Sequence, residues 1–131
     1  MIGSAEISVS IKLFDENGNQ KSIFPPENIV IEKRFDPGEK TDDEIQIAAG
    51  ASDVAQSLGL VDAANLMCII TDQDISYKKN SSGGEVQYIK TDKISGNTKY
   101  GIALLTTSGI TSLYFSNAGS NTAKVMMLAV V

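Results

Sequence analysis

Tyr100-Gly-Ile-Ala-Leu-Leu-Thr-Thr-Ser-Gly-Ile-Thr-Ser-Leu-Tyr-Phe-Ser-Asn-Ala-Gly-Ser-Asn-Thr-Ala-Lys-Val-Met-Met-Leu-Ala-Val-Val131 decides the fold class. It reads as three strand-like runs joined by two short turns that contain Gly. Ile110, Leu113 and Phe115 lie in one run, and Val125, Met127, Ala129 and Val131 alternate in the next. Asn117-Ala118-Gly119-Ser120-Asn121 between them has the chemistry of a hairpin loop, because Gly tolerates positive φ and Asn tolerates the left-handed region. The last run is apolar on both faces after Lys124: Met126, Leu128 and Val130 need cover as much as Val125, Met127 and Ala129 do. A strand that merely closed a monomeric sandwich would alternate apolar with polar. The run therefore predicts a strand built into the middle of a sheet or into an assembly.

The same period extends upstream. Ile7, Val9, Ile11 and Leu13 alternate with Glu6, Ser8, Ser10 and Lys12, which predicts a half-buried strand. Asp15 to Asn19 reads as a turn, Gln20 to Phe24 as a short strand stopped by Pro25-Pro26, and Asn28 to Phe35 as another strand. Asp36 to Lys40 is a turn, and Glu44 to Ala48 alternates again. Residues 50–60 read two ways: a short helix over 52–58, capped by Ser52 and ended by Gly59, or a loop or strand that carries Val54 and Leu58. Ala64 to Thr71 is a continuous apolar run of strand length, which predicts a strand covered on both faces. Asp74 to Lys79, the turn Asn80 to Gly84, and Glu85 to Lys90 have hairpin chemistry. Many short strands with Gly, Asn and Pro turns predict an all-β, antiparallel β-sandwich (jelly-roll-like), formed as a single domain over 1–131.

Composition removes several function classes. With 42% hydrophobic and 21% charged residues the chain is ordinary for a globular protein. It has no histidine, hence neither the commonest general base nor the commonest metal ligand, and no serine triad of the usual form. The single Cys68 has no disulfide partner within the chain and sits in the apolar run Leu66 to Ile70, where it reads as a small buried hydrophobe. The net charge of −5 argues against binding nucleic acid through its phosphates. Residues 1–62 hold 12 acids against 5 bases and residues 63–131 hold 4 against 6, an asymmetry that suits contacts between copies and equally suits two solvated surfaces. The N-terminus has neither the basic region nor the apolar run of a signal peptide, and no stretch has the length of a membrane span. The expectation is synthesis in the cytoplasm without membrane association.

Three acidic groupings could pass for sites. Asp36, Glu39, Asp42, Asp43 and Glu44 lie within nine residues, and clustered carboxylates hold Ca²⁺ through hard oxygen ligands; a solvated loop is the stronger reading. Asp15-x-Asn17-x-Asn19 matches the opening of a calcium loop, but Gln20 follows where Gly is needed, so a hairpin turn is preferred. Asp72 and Asp74 flank Gln73, yet alternate residues of an extended chain project to opposite sides, which favours a turn over an acid and base pair. Among exposed aromatics, which carbohydrate sites use, the candidates are Tyr77, Tyr88, Tyr100 and Tyr114. No catalytic, cofactor-binding or metal residue is assigned.

The order Ala64 to Asn80 resembles small β-sandwich virion structural proteins of tailed bacteriophages. In these an apolar strand runs into a Thr-Asp-Gln type turn, here Thr71-Asp72-Gln73, and then into a strand that ends in a basic residue and Asn, here Lys79-Asn80. Gly109 to Asn117, followed by a small-residue turn and a final strand, is similar to their closing hairpin. The resemblance covers about residues 60–131 and is a pattern of residue types rather than a signature. It implies a non-enzymatic structural subunit of a virion, of the capsid-decoration or tail and neck accessory type. Its partners would be other virion proteins and copies of itself in a homo-oligomer. A carbohydrate-binding or adhesive β-sandwich is the alternative.

Overall fold

The computed structural model describes residues 3–35, 40–59, 61–94, 97–98 and 100–131. Its strands are β1 (Gly3–Ser8), β2 (Ile11–Phe14), β3 (Gln20–Phe24), β4 (Val30–Phe35), β5 (Lys40–Ile47), β6 (Val54–Gln56), β7 (Leu66–Thr71), β8 (Ile75–Lys79), β9 (Gln87–Ile89), β10 (Lys93–Ile94), β11 (Asn97–Thr98), β12 (Gly101–Leu105), β13 (Leu113–Ser116) and β14 (Ala123–Val130). Every pairing is antiparallel. The fold is all-β, and no helix occurs among the described residues. Contacts divide the chain into two compact units, Met1–Phe35 and Asp36–Val131.

The first unit is a β-ribbon. β2 pairs with β3 and β1 with β4, and among the described residues none of the four enters a larger sheet. Asp15 closes the turn between β2 and β3: its N–H donates to the Asn19 carbonyl at 2.8 Å, and its carboxylate accepts from the N–H groups of Asn17 and Asn19. Gly18 takes φ +81° there, a conformation that side chains resist. Pro25 and Pro26 fall in the break between β3 and β4, where their missing donors cost no ladder bond. Two strands have no inner face to bury, and such a hairpin is marginal in water by itself.

The second unit is a sandwich of two four-stranded sheets, ordered β12-β7-β14-β5 and β6-β13-β8-β9. Lettered B to I in chain order, these eight strands give the sheets G-D-I-B and C-H-E-F, the order of a jelly roll. β14 lies between β7 and β5, so the C-terminal strand is central, as its apolar character requires. Val125, Met127 and Ala129 face inward from β14 beside Met67 and Ile69 of β7. Ile75, Tyr77, Leu113 and Phe115 meet them from the other sheet. The period of two is visible in burial: β13 and β14 alternate buried with less buried positions along most of their length.

Three local readings are corrected. Residues 52–58 form no helix: Asp53 takes φ +49°, its N–H donates to Ser116 Oγ at 2.9 Å, and Val54–Gln56 pairs with β13. Strand β5 starts at Lys40 instead of Glu44, so Asp42, Asp43 and Glu44 stand on a strand and not in a loop. An eight-residue ladder with β14 overrides the poor strand preference of Asp. Strand β7 is fully covered on its inner face and partly on the other, where Leu66 is buried and Cys68 and Ile70 are half-buried.

Two polar side chains hold the loops. Asn117 is fully buried; its Nδ2 donates to the carbonyls of Ile47 at 3.0 Å and Asn121 at 2.8 Å, and its Oδ1 accepts from the Gly119 N–H. Asn80, at φ +66°, accepts from Thr111 N and donates to the Gly109 carbonyl, so it joins the β8–β9 turn to the β12–β13 connection. Gly101 is set by a close approach: a Cβ there would sit 2.6 Å from the Lys90 carbonyl oxygen.

Ile69 and Phe115 are both fully buried. Truncating either to Ala should cost roughly 2–5 kcal/mol in urea melts, whereas Asp43→Ala on the exposed end of β5 should stay within about 0.5 kcal/mol. Asn117→Ala strands two carbonyls and one N–H, and should cost about 2–4 kcal/mol, comparable to a core truncation. Gly101→Ala should destabilise by about 1–3 kcal/mol because backbone must move to admit the methyl group. Wild-type midpoints for both would show that these two contacts do not constrain the sandwich.

Candidate functional site

Two of the three acidic groupings hold backbone in place. The Asp15 carboxylate serves the ribbon turn, and the backbone hydrogen bond from Asn19, above the other causes, holds its pKa below the usual carboxylate value. Lys21 lies 3.4 Å away and adds to this. Asp72 accepts from the Lys124 N–H at 2.8 Å, and Asp74 accepts from both the N–H and the hydroxyl of Thr91. The two carboxylates thus anchor β14 and the segment that follows β9 instead of converging. Of the acids from Asp36 to Glu44, Asp36 and Glu39 lie outside the described residues; Glu44 stands 3.7 Å from Lys124 across the β5–β14 pair. Among the described residues no three Cys, Asp or Glu side chains are grouped to hold a metal ion.

The tyrosines separate into two kinds. Tyr77 is buried in the core, where desolvation raises its pKa, and Tyr114 is half-buried. Tyr88 and Tyr100 are 69% and 61% exposed. Tyr88 borders a hollow of about 250 Å³ with Ser76, Lys90 and Ser116, and the Lys90 ammonium lies 5.4 Å from its ring centroid. A neighbouring hollow of about 350 Å³ shares Asp74 and Gly119 with it and adds Gln73, Thr91, Ser120 and Asn121. The smaller hollow thus has an open aromatic border with hydroxyl and carboxylate groups in a largely apolar lining, and the amides line its neighbour.

The larger exposed surfaces are apolar. In the ribbon, register places Ile11 opposite Phe24 and Leu13 opposite Ser22 on one face of β2–β3. Ile11, Leu13 and Phe24 are 51%, 57% and 63% exposed. Phe14, Ile23, Ile29, Val30 and Ile31 are exposed as well. In the sandwich, two rows cross the outer face of the β12-β7-β14-β5 sheet: Ile102–Ile70–Met126–Glu44 and Leu104–Cys68–Leu128–Asp42. Ile102 is 65% exposed, and Leu104 and Met126 nearly 40%. Each row is apolar across three strands and ends on an acid of β5. Cys68, expected to be a buried hydrophobe, is half-buried in the second row, and desolvation raises its pKa, so it stands there as the neutral thiol.

The apolar second face of β14 was the legible half of this arrangement. The ribbon surface escaped because Ile7 to Leu13 carries the alternation of an ordinary half-buried strand, and nothing in a strand pattern reveals that its partner strand is the last one. The chain gives no significant match to any family model, curated protein or solved structure.

Proposed function

We propose that this chain is a non-enzymatic structural subunit of a bacteriophage virion, a capsid-decoration or a tail or neck accessory protein, which works by protein–protein contact. The observation that carries the reading is the mismatch between its two kinds of surface. Asp15, Asp72, Asp74 and Asn117 are committed to turns and backbone anchors, while the ribbon and the outer sheet face expose contiguous apolar rows. Exposed apolar patches of several hundred Å² mark interaction sites. The jelly-roll order, common in capsid and lectin domains, and the residue pattern over 64–80 and 109–117 point the same way. In this reading the protein resides in the particle, with other virion proteins and further copies of itself as neighbours.

The test is the protein content of purified particles from cells in which the chain is expressed in its native genome. Mass spectrometry should find it in a fixed copy number that survives a density gradient. Its absence from every particle, with soluble protein present in the lysate, would remove the assignment.

A carbohydrate-binding module is the second reading, favoured by the exposed Tyr88 ring at the rim of the smaller hollow. Stacking of a sugar on an open ring is a routine mode of saccharide capture. If it operates, Tyr88→Ala should abolish retention on a glycan array while leaving the melting temperature within about 2 °C of wild type, as expected for an exposed site.

A further inference from the structure

We infer that the two adjoining hollows beside Tyr88 bind an uncharged oligosaccharide, with one sugar ring against Tyr88 and the next in the larger hollow. The site rests on the carbohydrate reading, to which it adds the ligand class and a second subsite, and it does not depend on whether the chain is a virion subunit.

Strand register builds the first subsite. Ser76 of β8 stands opposite Ser116 of β13 and opposite Tyr88 of β9, so the three share one row. Their chain neighbours Ile75, Tyr77, Ile89 and Phe115 are buried in the core, which puts the row on the outer face of the sheet. Two serines fill little space beside a ring, and the smaller hollow lies there. Tyr88 is exposed, and the Lys90 ammonium beside its ring restrains both side chains before a ligand arrives. The turn after β13 supplies the second wall: Gly119 borders both hollows, and Ser120 and Asn121 border the larger. The buried Asn117 amide holds that turn through the Asn121 carbonyl and the Gly119 N–H, so the wall is placed by the core.

The lining selects the ligand. Asp74 borders both hollows and Lys90 the smaller. A carboxylate only accepts hydrogen bonds and an ammonium only donates them. A ligand must therefore bring a donor to one and an acceptor to the other. A sulfate or carboxylate has no donor for Asp74, and an amine cation has no acceptor for Lys90. Asp74 Oδ2 and Lys90 Nζ stand 3.9 Å apart, beyond a direct hydrogen bond. A hydroxyl oxygen about 2.8 Å from each serves both at once. A peptide amide carries its donor and acceptor on opposite edges and does not. The two charges offset each other, so the pair attracts no net charge. The smaller hollow is largely apolar and suits the C–H face of a sugar ring, while Gln73, Thr91, Ser120 and Asn121 give the larger one amides and hydroxyls. A pyranose has both kinds of surface, and two linked units span hollows that adjoin along Asp74 and Gly119.

An array of neutral and acidic oligosaccharides, probed with the full chain, supplies the test. Wild type should be retained on neutral glycans, with no requirement for sulfate or carboxylate groups. Ser76→Leu fills the smaller hollow from the outer face and should abolish retention without lowering the melting temperature. Lys90→Met keeps the stem beside the ring and removes the donor, and should weaken binding about tenfold or more, the loss expected for a hydrogen bond to a charged group. It serves alone if Ser76→Leu folds poorly. Asn121→Ala should weaken binding about threefold to tenfold through the second subsite. Retention confined to acidic glycans, retention that survives Ser76→Leu or Lys90→Met in a folded protein, or indifference to Asn121→Ala would each overturn the inference and leave the carbohydrate reading in place. An array on which no glycan is retained would overturn both.

Discussion

The sandwich depends on one buried amide. Asn117 sits where β13 ends, and Ile47 ends β5 in the facing sheet; the Asn117 Nδ2 to Ile47 carbonyl bond therefore ties the two sheets at the edge where backbone would otherwise lack a partner. The backbone completes the knot, with Gly50 N–H on the Asn117 carbonyl and Asn117 N–H on the Ala51 carbonyl. A buried amide is costly without partners and specific with them, since its two donors and its acceptor accept only one arrangement of the surrounding loops. Here that arrangement shapes both the 117–121 turn that launches β14 and the β5–β6 crossover. The central strand of one sheet and the edge strand of the other are thus placed by the same residue.

With the sheets held at that knot, packing needs only their inner faces. Val125, Met127, Ile69, Tyr77 and Phe115 supply an interior that is already closed. The outer rows Ile102–Ile70–Met126 and Leu104–Cys68–Leu128 add nothing to it. An antiparallel sheet that faces water on one side ordinarily carries polar residues there. Three adjacent strands that break this rule in the same two rows are a local inconsistency of the kind expected at functional surfaces.

How much of this was legible in the sequence follows from which interactions are local. The turn at Asn117 to Asn121, the alternation of Val125, Met127 and Ala129, and the apolar opposite face of the same strand were all readable, because period and turn chemistry are short-range. The role of Asn117 was not: as a turn residue it looks solvated, and only the approach of Ile47, seventy positions earlier, buries it. Gly101 is similar, since the Lys90 carbonyl that forbids a side chain there comes from another strand's end. Residues 52–58 went undecided because Ser52 and Gly59 imitate helix caps, and tertiary pairing with β13 decided against them. The acids Asp42 to Glu44 resemble a loop or an ion site for the same reason: their strand exists only because β14 recruits it.

The position of those acids bears on how copies could meet. β5 is an edge strand, with β14 on one side and no partner strand on the other among the described residues. Exposed edges invite pairing with further strands, and charged side chains on the edge are a common deterrent. Asp42, Asp43 and Glu44 put three successive negative charges on that edge, so a second β5 brought alongside would set like charges together. The opposite edge, β12, begins at Gly101, where the Lys90 backbone already fills the space beside it. Neither edge is thus a ready template over its whole length, whereas the apolar rows between them are open. Charge on one edge and close backbone on the other thus guard the margins of the sheet, and the apolar rows lie on the face between them.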